Sequence, residues 1–188
     1  MKRWSLTVLL SSVLLGCGTV DVEDTLLGPL IPSDSGEYGE RFSVLVQANA
    51  PALQIGFVES QEGGTLLLER REGAFDYWLS PEGAQIVLQN GMLHSTRGFG
   101  EGLLASELSA PLAHVHGLRN GYSDRFHTYL DGNDRAVTRT YRCLFTRGET
   151  SNIALHSGPV QTVQMRENCR SLDQEFSNIY WVTPGARR

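Results

Sequence analysis

After its second residue the chain contains no lysine, and every later basic residue is an arginine. Carboxylates outnumber cations, 21 to 16, and the formal net charge is −5. An acidic chain has no electrostatic footprint for phosphate backbones, which excludes nucleic acid as a partner. No apolar run reaches the roughly 20 residues that a membrane-spanning helix needs. Cysteine is scarce, with 3 in 188 residues, and none stands in C-x-x-C spacing. The usual thiolate zinc and redox motifs are therefore missing. Gly-x-Ser-x-Gly, a phosphate-cradling glycine loop and His-Glu-x-x-His are also absent, so the common nucleophile, nucleotide and zinc-protease signatures do not apply. There is no fixed-period repeat and no low-complexity tract.

What is present begins at the N-terminus. Lys2 and Arg3 precede an apolar stretch, Leu6 to Leu15, interrupted only by Thr7, Ser11 and Ser12. Leu14-Leu15-Gly16 then runs into Cys17. Charge, apolar length and cysteine position follow the layout of an export signal, and Leu-x-Gly-Cys resembles the bacterial lipobox. That resemblance implies a signal peptide over residues 1–16, diacylglycerol on the Cys17 thiol, cleavage before it and acylation of the new amine. Three chains anchor stably, since each buried methylene contributes about 0.8 kcal/mol. Resemblance to enteric-type lipoproteins, in which an aspartate after the cysteine signals inner-membrane retention, implies with Gly18 the outer membrane and its periplasmic face. Cleavage removes Lys2 and Arg3 but no acid, so the mature domain carries 14 arginines against 21 carboxylates. With Cys17 lipidated, Cys143 and Cys169 remain as a pair in an oxidising compartment, which predicts a disulfide. A cysteine-based metal site is the alternative.

Residues 17–40 are rich in Gly, Pro, Ser, Asp and Glu and read as a tether behind the lipidated cysteine. Its apolar patch, Leu26 to Ile31, either spans freely or docks as a short helix. A single domain is expected over 41–188. From Arg41 the apolar period is two: Phe42, Val44 and Val46 alternate with their neighbours, and Leu53, Ile55 and Phe57 follow Pro51. Turn signals recur at Glu62-Gly63-Gly64, Arg71-Glu72-Gly73, Ser80 to Gly83, Asn90-Gly91, Asn120-Gly121 and Asp131-Gly132. Arg135 to Phe145 is the longest alternating run. Gly102 to Leu108 is the one segment that fits one or two helical turns. The expected fold is mostly β, an antiparallel meander forming a sandwich or curled half-barrel, with at most short helices.

Several segments carry a resemblance in their order. Trp78 lies on a strand before the Ser80 to Gly83 turn. The stretch Asn90-Gly91-Met92-Leu93-His94-Ser95-Thr96-Arg97-Gly98-Phe99-Gly100-Glu101-Gly102-Leu103-Leu104 opens on the Asn90-Gly91 hairpin. An arginine-rich strand ends in Tyr141-Arg142-Cys143, Cys169 comes later, and Asn178-Ile179-Tyr180-Trp181-Val182 lies near the end. Together with the lipobox these resemble the YjbF/GfcB lipoproteins of group 4 capsule and exopolysaccharide operons. Phe99 and Gly102 stand where that family has leucine and aspartate. The resemblance implies a non-enzymatic accessory in exopolysaccharide or capsule assembly or export. The implied partners are outer-membrane lipid through the Cys17 acyl chains, and other export proteins or the polysaccharide itself. No cofactor is implied.

Candidate chemistry is sparse. His114-x-His116 on a strand would point both imidazoles to one face, a two-ligand start for zinc with His127 or His94 as a third; two surface histidines are the plainer account. Asp131-Gly132-Asn133-Asp134 opens like a calcium loop, but Arg135, Ala136 and Arg142 occupy positions that need a ligand, a glycine and a glutamate, so it reads as a turn. Asp76, Glu101 and Glu107 are carboxylates that a glycan hydrolase would need in pairs. Tyr77, Trp78 and Trp181 are candidate glycan contacts if exposed. The main candidate is Thr96-Arg97-Gly98-Phe99-Gly100. Its glycines suggest positive φ or a close backbone approach. Arg97 suits bidentate binding of a carboxylate, either a partner's uronic acid or an internal acid that buries it in the fold.

Overall fold

The computed structural model describes residues 34–57, 62–100, 102–133, 135–155 and 157–185. The lipobox, Cys17 and the tether up to residue 33 lie outside them. The first element is a helix, α1 (Asp34–Gln47). It crosses the expected tether boundary and corrects the period-two reading of residues 42 to 46. Five residues are too few to separate a period of two from 3.6, and Leu45 between Val44 and Val46 is itself apolar. The stop signal decides the matter. Asn49 takes φ 51°, its N–H donates to Val46 O (3.0 Å), and the Ala50 N–H donates to Leu45 O (3.0 Å). This pair of bonds is a Schellman cap, and Pro51 follows it.

Ten strands come next among the described residues. β1 (Ala52–Gly56), β2 (Gly63–Glu72), β3 (Phe75–Leu79), β4 (Gln85–Gln89) and β5 (Met92–Arg97) form one antiparallel sheet in sequence order. β6 (Leu103–Glu107), β7 (Gly121–Leu130), β8 (Ala136–Leu155), β9 (Gly158–Arg170) and β10 (Glu175–Val182) form a second, also in sequence order. The whole is an antiparallel meander, and one of its sheets curls into a half-barrel. The turns work as their residues dictate. Asn90 (φ 48°) and Gly91 (φ 83°) both take positive φ between paired Gln89 and Met92, the requirement of a type I′ hairpin. In the β3–β4 turn Gly83 takes φ 84°, and Ser80 Oγ accepts from the Ala84 N–H at 3.0 Å. A bulge in β2 lies between Leu68 and Arg70; there Glu69 receives Arg41 from α1 and Gln85 from β4.

Two local expectations around residue 108 exchange places. Residues 103–107, expected as helical turns, are strand β6 paired with β7 across a bulge. The segment with His114 and His116, expected as strand, is the helix α2 (Ser109–His116). Pro111 sits in the first helical turn, where an N–H would lack an intrahelical partner in any case. The Leu112 N–H opens the ladder by donating to Leu108 O at 2.9 Å. α2 drives Leu108, Pro111 and Val115 into the interior. There Leu108 and Val115 join Met92, Phe145, Met165 and the Cys143–Cys169 pair in one core.

The two sheets meet where β5 passes β6, through side chains. The Leu103 N–H donates to Thr96 Oγ1 (3.0 Å), and His94 Nδ1 lies 3.1 Å from Ser106 O.

Candidate functional site

The inner face of the second sheet is where the buried polar side chains gather. Along β7 the side chains alternate, with Ser123, Arg125 and His127 buried while Tyr122, Asp124 and Phe126 are exposed. β8 contributes Tyr141 and Cys143, β9 contributes Glu167 and Cys169, and β10 contributes Phe176, Asn178 and Tyr180. The register stacks these in rows. Arg125 lies opposite Tyr141, Cys143 opposite Cys169, and Asn178 opposite Glu167. The face lines an open groove of about 870 Å³, bounded by Leu93, Arg125, His127, Tyr129, Phe176 and Tyr180 among others.

At its floor is a buried ion pair. Arg125 Nη1 is 2.7 Å from Glu167 Oε2, with the two side chains 2% and 0% exposed. The same carboxylate oxygen accepts from Tyr180 OH (2.7 Å) and Asn178 Nδ2 (2.8 Å). Arg125 also donates through Nε to Ser106 Oγ (3.3 Å) and through Nη2 to Leu93 O (3.4 Å). Burial opposes the Arg125 charge, but Glu167 and Tyr180 outweigh it and hold the guanidinium above its ordinary range. Burial and the neighbouring Glu167 charge push the Tyr180 phenol well up, so it stays a donor.

His127 stands beside this pair. Its ring stacks on Phe176 (5.5 Å between centroids, 17° between planes) and lies 5.0 Å from Tyr141. Burial, followed by the Arg125 charge, brings its pKa down to about 4. The imidazole is therefore neutral at physiological pH. Nδ1 meets Tyr129 OH at 3.1 Å, whereas Nε2 is buried with no hydrogen-bond partner among the described residues.

The structure joins Cys143 and Cys169 in a disulfide across β8 and β9. Glu167 Oε1 lies 3.4 Å from Cys169 Sγ; in the disulfide that sulfur has no proton to give.

Other sequence candidates are scattered. Arg97, at the end of β5, is exposed and makes no hydrogen bond or ion pair with the described residues. The buried arginine that its motif suggested is instead Arg125. Gly98 (φ 80°) and Gly100 (φ 75°) both need positive φ. A Cβ on Gly98 would also come within 3.0 Å of Ala84 Cβ. Phe99 packs at 5.7 Å from Phe57, and Thr96 holds the sheet junction.

Trp78 is only 8% exposed, so its ring is part of the interior and is not available to a glycan. Tyr77 is half-buried beneath Arg70, whose guanidinium carbon is 3.7 Å from the ring centroid. Trp181 is 49% exposed on β10, at the far end of the strand order from β3. The three do not form one aromatic row.

The histidines do not converge either. On a helix, side chains two apart point to different faces. His114 stacks on Phe145 (4.9 Å), and His116 Nε2 reaches Asn90 O (3.2 Å). Asp131 Oδ1 accepts from the Asn133 and Arg135 N–H groups (2.9 and 3.0 Å), which makes that segment a turn. Asp76 pairs with Arg71 (3.0 Å), Glu107 caps Ser109 at the start of α2 (3.0 Å), and Glu101 is outside the described residues.

Arg125 and Glu167 escaped the sequence reading, although a signal existed. Val163, Met165, Glu167 and Cys169 are one period-two series of buried positions with a glutamate inside it. Ser123, Arg125 and His127 are the matching series on β7. A carboxylate and a guanidinium at core-facing positions of neighbouring strands call for each other.

Comparison with known proteins agrees with this architecture. The crystal structure of the hypothetical lipoprotein YmcC from Escherichia coli K12 is similar in fold, with a TM-score of 0.57 and 19% identity over 66% of this chain and 68% of that one. No curated protein matches the sequence. The family described as group 4 capsule polysaccharide lipoprotein GfcB, YjbF matches residues 44–187, the helix end and all ten strands. The chain thus belongs to the YjbF family of capsule polysaccharide lipoproteins.

Proposed function

We propose that this lipoprotein is a non-enzymatic accessory of exopolysaccharide or capsule assembly or export. It is held by acyl chains on Cys17 at the periplasmic face of the outer membrane, and it acts on the polymer or on other export proteins by binding. The observation that carries the non-enzymatic part is the state of the inner face of the second sheet. Glu167, its fully buried carboxylate, already accepts from Arg125, Tyr180 and Asn178. His127, with a pKa of about 4, is a poor general base, because catalytic bases work best when their pKa lies near the operating pH. A hydrolase would need two carboxylates facing one bond; Asp76 and Glu107 are each engaged in local structure, and Asp173 and Glu175, which line the groove, pair with Arg139 and Arg170.

The test is genetic and biochemical. Deleting the gene should strip surface polysaccharide from a strain that makes it. Cys17→Ala should abolish fatty-acid labelling and release the protein from membranes. Normal surface polymer in the deletion strain would overturn the role, and continued labelling of the variant would overturn the anchor.

A further inference from the structure

We infer that the outer face of β7 to β10 binds a sugar segment that bears a carboxylate, a uronate, held between Arg142 and Arg170 and laid on the Tyr122 ring. This rests on the capsule-polysaccharide reading above and names a place and a ligand class for it. The place is a second open groove, of about 1040 Å³, on the side of the sheet away from Arg125 and Glu167. The side chains of Arg142 and Arg170 are 63% and 79% exposed and Tyr122 is 61% exposed, so a ligand reaches the guanidinium nitrogens and the ring.

Strand register builds the groove in two rows. Asp124, Arg142, Arg170 and Glu175 lie opposite one another across the four strands, and Tyr122, Leu144, Asn168 and Ser177 form the next row. The first row reads acid, base, base, acid. Arg142 Nη1 donates to Asp124 Oδ1 (2.8 Å), and Arg170 Nη2 donates to Glu175 Oε2 (3.2 Å). Between these pairs Arg142 and Arg170 stand directly opposite each other, and like charges so placed destabilise a sheet. A carboxylate between them relieves that repulsion. Each fork carries five N–H donors, and one bond to an acid leaves enough of them for a carboxylate. The two ion pairs do not stand in the way, because exposed pairs are weak and exchange with a competing anion. The local charge agrees. The chain beyond residue 16 has 14 arginines against 21 carboxylates, but beside this groove Arg142, Arg170 and the exposed Arg166 stand against two acids, Asp124 and Glu175.

The rest of the groove selects a sugar. Asp124 and Glu175 repel a closely spaced polyanion such as polyphosphate, whereas each accepts from a hydroxyl. Asn168 accepts from Ser177 Oγ at 2.7 Å, which leaves its NH2 group to donate. Tyr122, with the Arg142 guanidinium carbon 5.4 Å from its centroid, supplies an aromatic surface for the C–H face of a sugar ring. The same acids do not make a hydrolytic pair. Three strand spacings separate them, about 14 Å, beyond the roughly 5 to 9.5 Å that glycoside hydrolysis uses.

The experiment is calorimetry on the full-length lipidated protein in detergent. The probes are tetramers of galacturonate, glucuronate and mannuronate, the same tetramers with their carboxyl groups reduced to alcohols, and polyphosphate. At least one uronate tetramer should bind, and its reduced form should bind roughly tenfold weaker or worse, the loss of a charge-assisted contact. Arg142→Gln, Arg170→Gln and Tyr122→Ala should each weaken the uronate by about tenfold at unchanged melting temperature, since all three side chains are exposed. Should a variant fail to fold, arginine modification by phenylglyoxal in the unaltered protein decides. Saturating uronate must protect Arg142 and Arg170, read by peptide mass, and leave Arg97 as reactive as before.

Binding of no uronate, equal binding of a tetramer and its reduced form, polyphosphate bound as tightly, full affinity in any of the three variants or absence of protection would each overturn the inference. The deletion strain separates the two levels. If it loses polymer while the protein binds no uronate, this site is wrong and the capsule role stands. If it keeps its polymer, the capsule role itself has failed.

Discussion

Replacing Glu167 with alanine leaves Arg125 charged and enclosed at the floor of the half-barrel. In the native protein the guanidinium is 2.7 Å from the carboxylate, with neither side chain more than 2% exposed. Removing one partner of such a pair costs about 3 to 5 kcal/mol, because the survivor is an uncompensated buried charge. Tyr180 and Asn178 lose their acceptor at the same time, and each stranded donor adds on the order of 1 kcal/mol. The sum is a large share of the roughly 5 to 15 kcal/mol by which a domain is stable. The double variant Arg125→Met, Glu167→Leu leaves no buried charge and keeps the volume filled. The stranded donors remain, and Ser106 Oγ and Leu93 O lose the long bonds they accepted from Arg125, but no charge is left buried, so it should be more stable than Glu167→Ala by about 1 kcal/mol or more. Urea unfolding followed by far-ultraviolet circular dichroism, with the disulfide intact, gives both values. A loss below about 1 kcal/mol in Glu167→Ala, or a double variant no more stable than the single one, would refute the reasoning.

Replacing Cys143 and Cys169 together with alanine should cost about 3.5 kcal/mol in the chain-entropy model for a separation of 26 residues, and thiol titration of the native mature protein should find no free thiol before reduction. The folded pKa of His127 lies below its ordinary 6.5, at about 4, so the unfolded ring takes a proton first as the pH drops. Its contribution is complete above about pH 6.5 and lost as the pH falls towards 4, by at most about 3 kcal/mol and by less where water reaches the ring; His127→Phe should flatten that part of the profile, and an identical profile in both proteins would count against it. Arg97→Ala should change stability by no more than about 0.5 kcal/mol while lowering surface polysaccharide if Arg97 contacts a partner, and normal polymer would remove it as a contact. Gly98→Ala should cost more than about 1 kcal/mol, since it combines a φ of 80° with a 3.0 Å approach to Ala84, and an unchanged melt would show that the loop can shift.

Elements whose signals are local were readable from the chain. Asn90-Gly91 specifies a type I′ hairpin whatever surrounds it, because few other residue pairs accept two positive φ values. The alternation from Arg135 onward lies within the longest strand, β8. Short ambiguous runs were misread where the deciding residues sat outside them. Residues 42 to 46 are helical because of the cap at Asn49, and His114 and His116 are helical because Pro111 sits in the first turn ahead of them. Trp78 reads as an aromatic fit for sugar, but whether an aromatic on a strand faces water depends on which face the rest of the sheet covers.

The sequence by itself determined the antiparallel meander and the turns, and the order of its motifs pointed to the family. Each of these follows from composition, period or residue order, which neighbours in space do not alter. Only the tertiary structure decided which arginine is buried. Arg97 and Arg125 both sit on strands, and the period-two series around Arg125 marks one face of β7 without saying that this face is the covered one. The register of β7 to β10 makes the choice, because it brings Glu167, Tyr180 and Asn178 to Arg125 from 42 to 55 residues away. A buried charge is stable only where such partners converge, and that convergence is a property of the curled sheet.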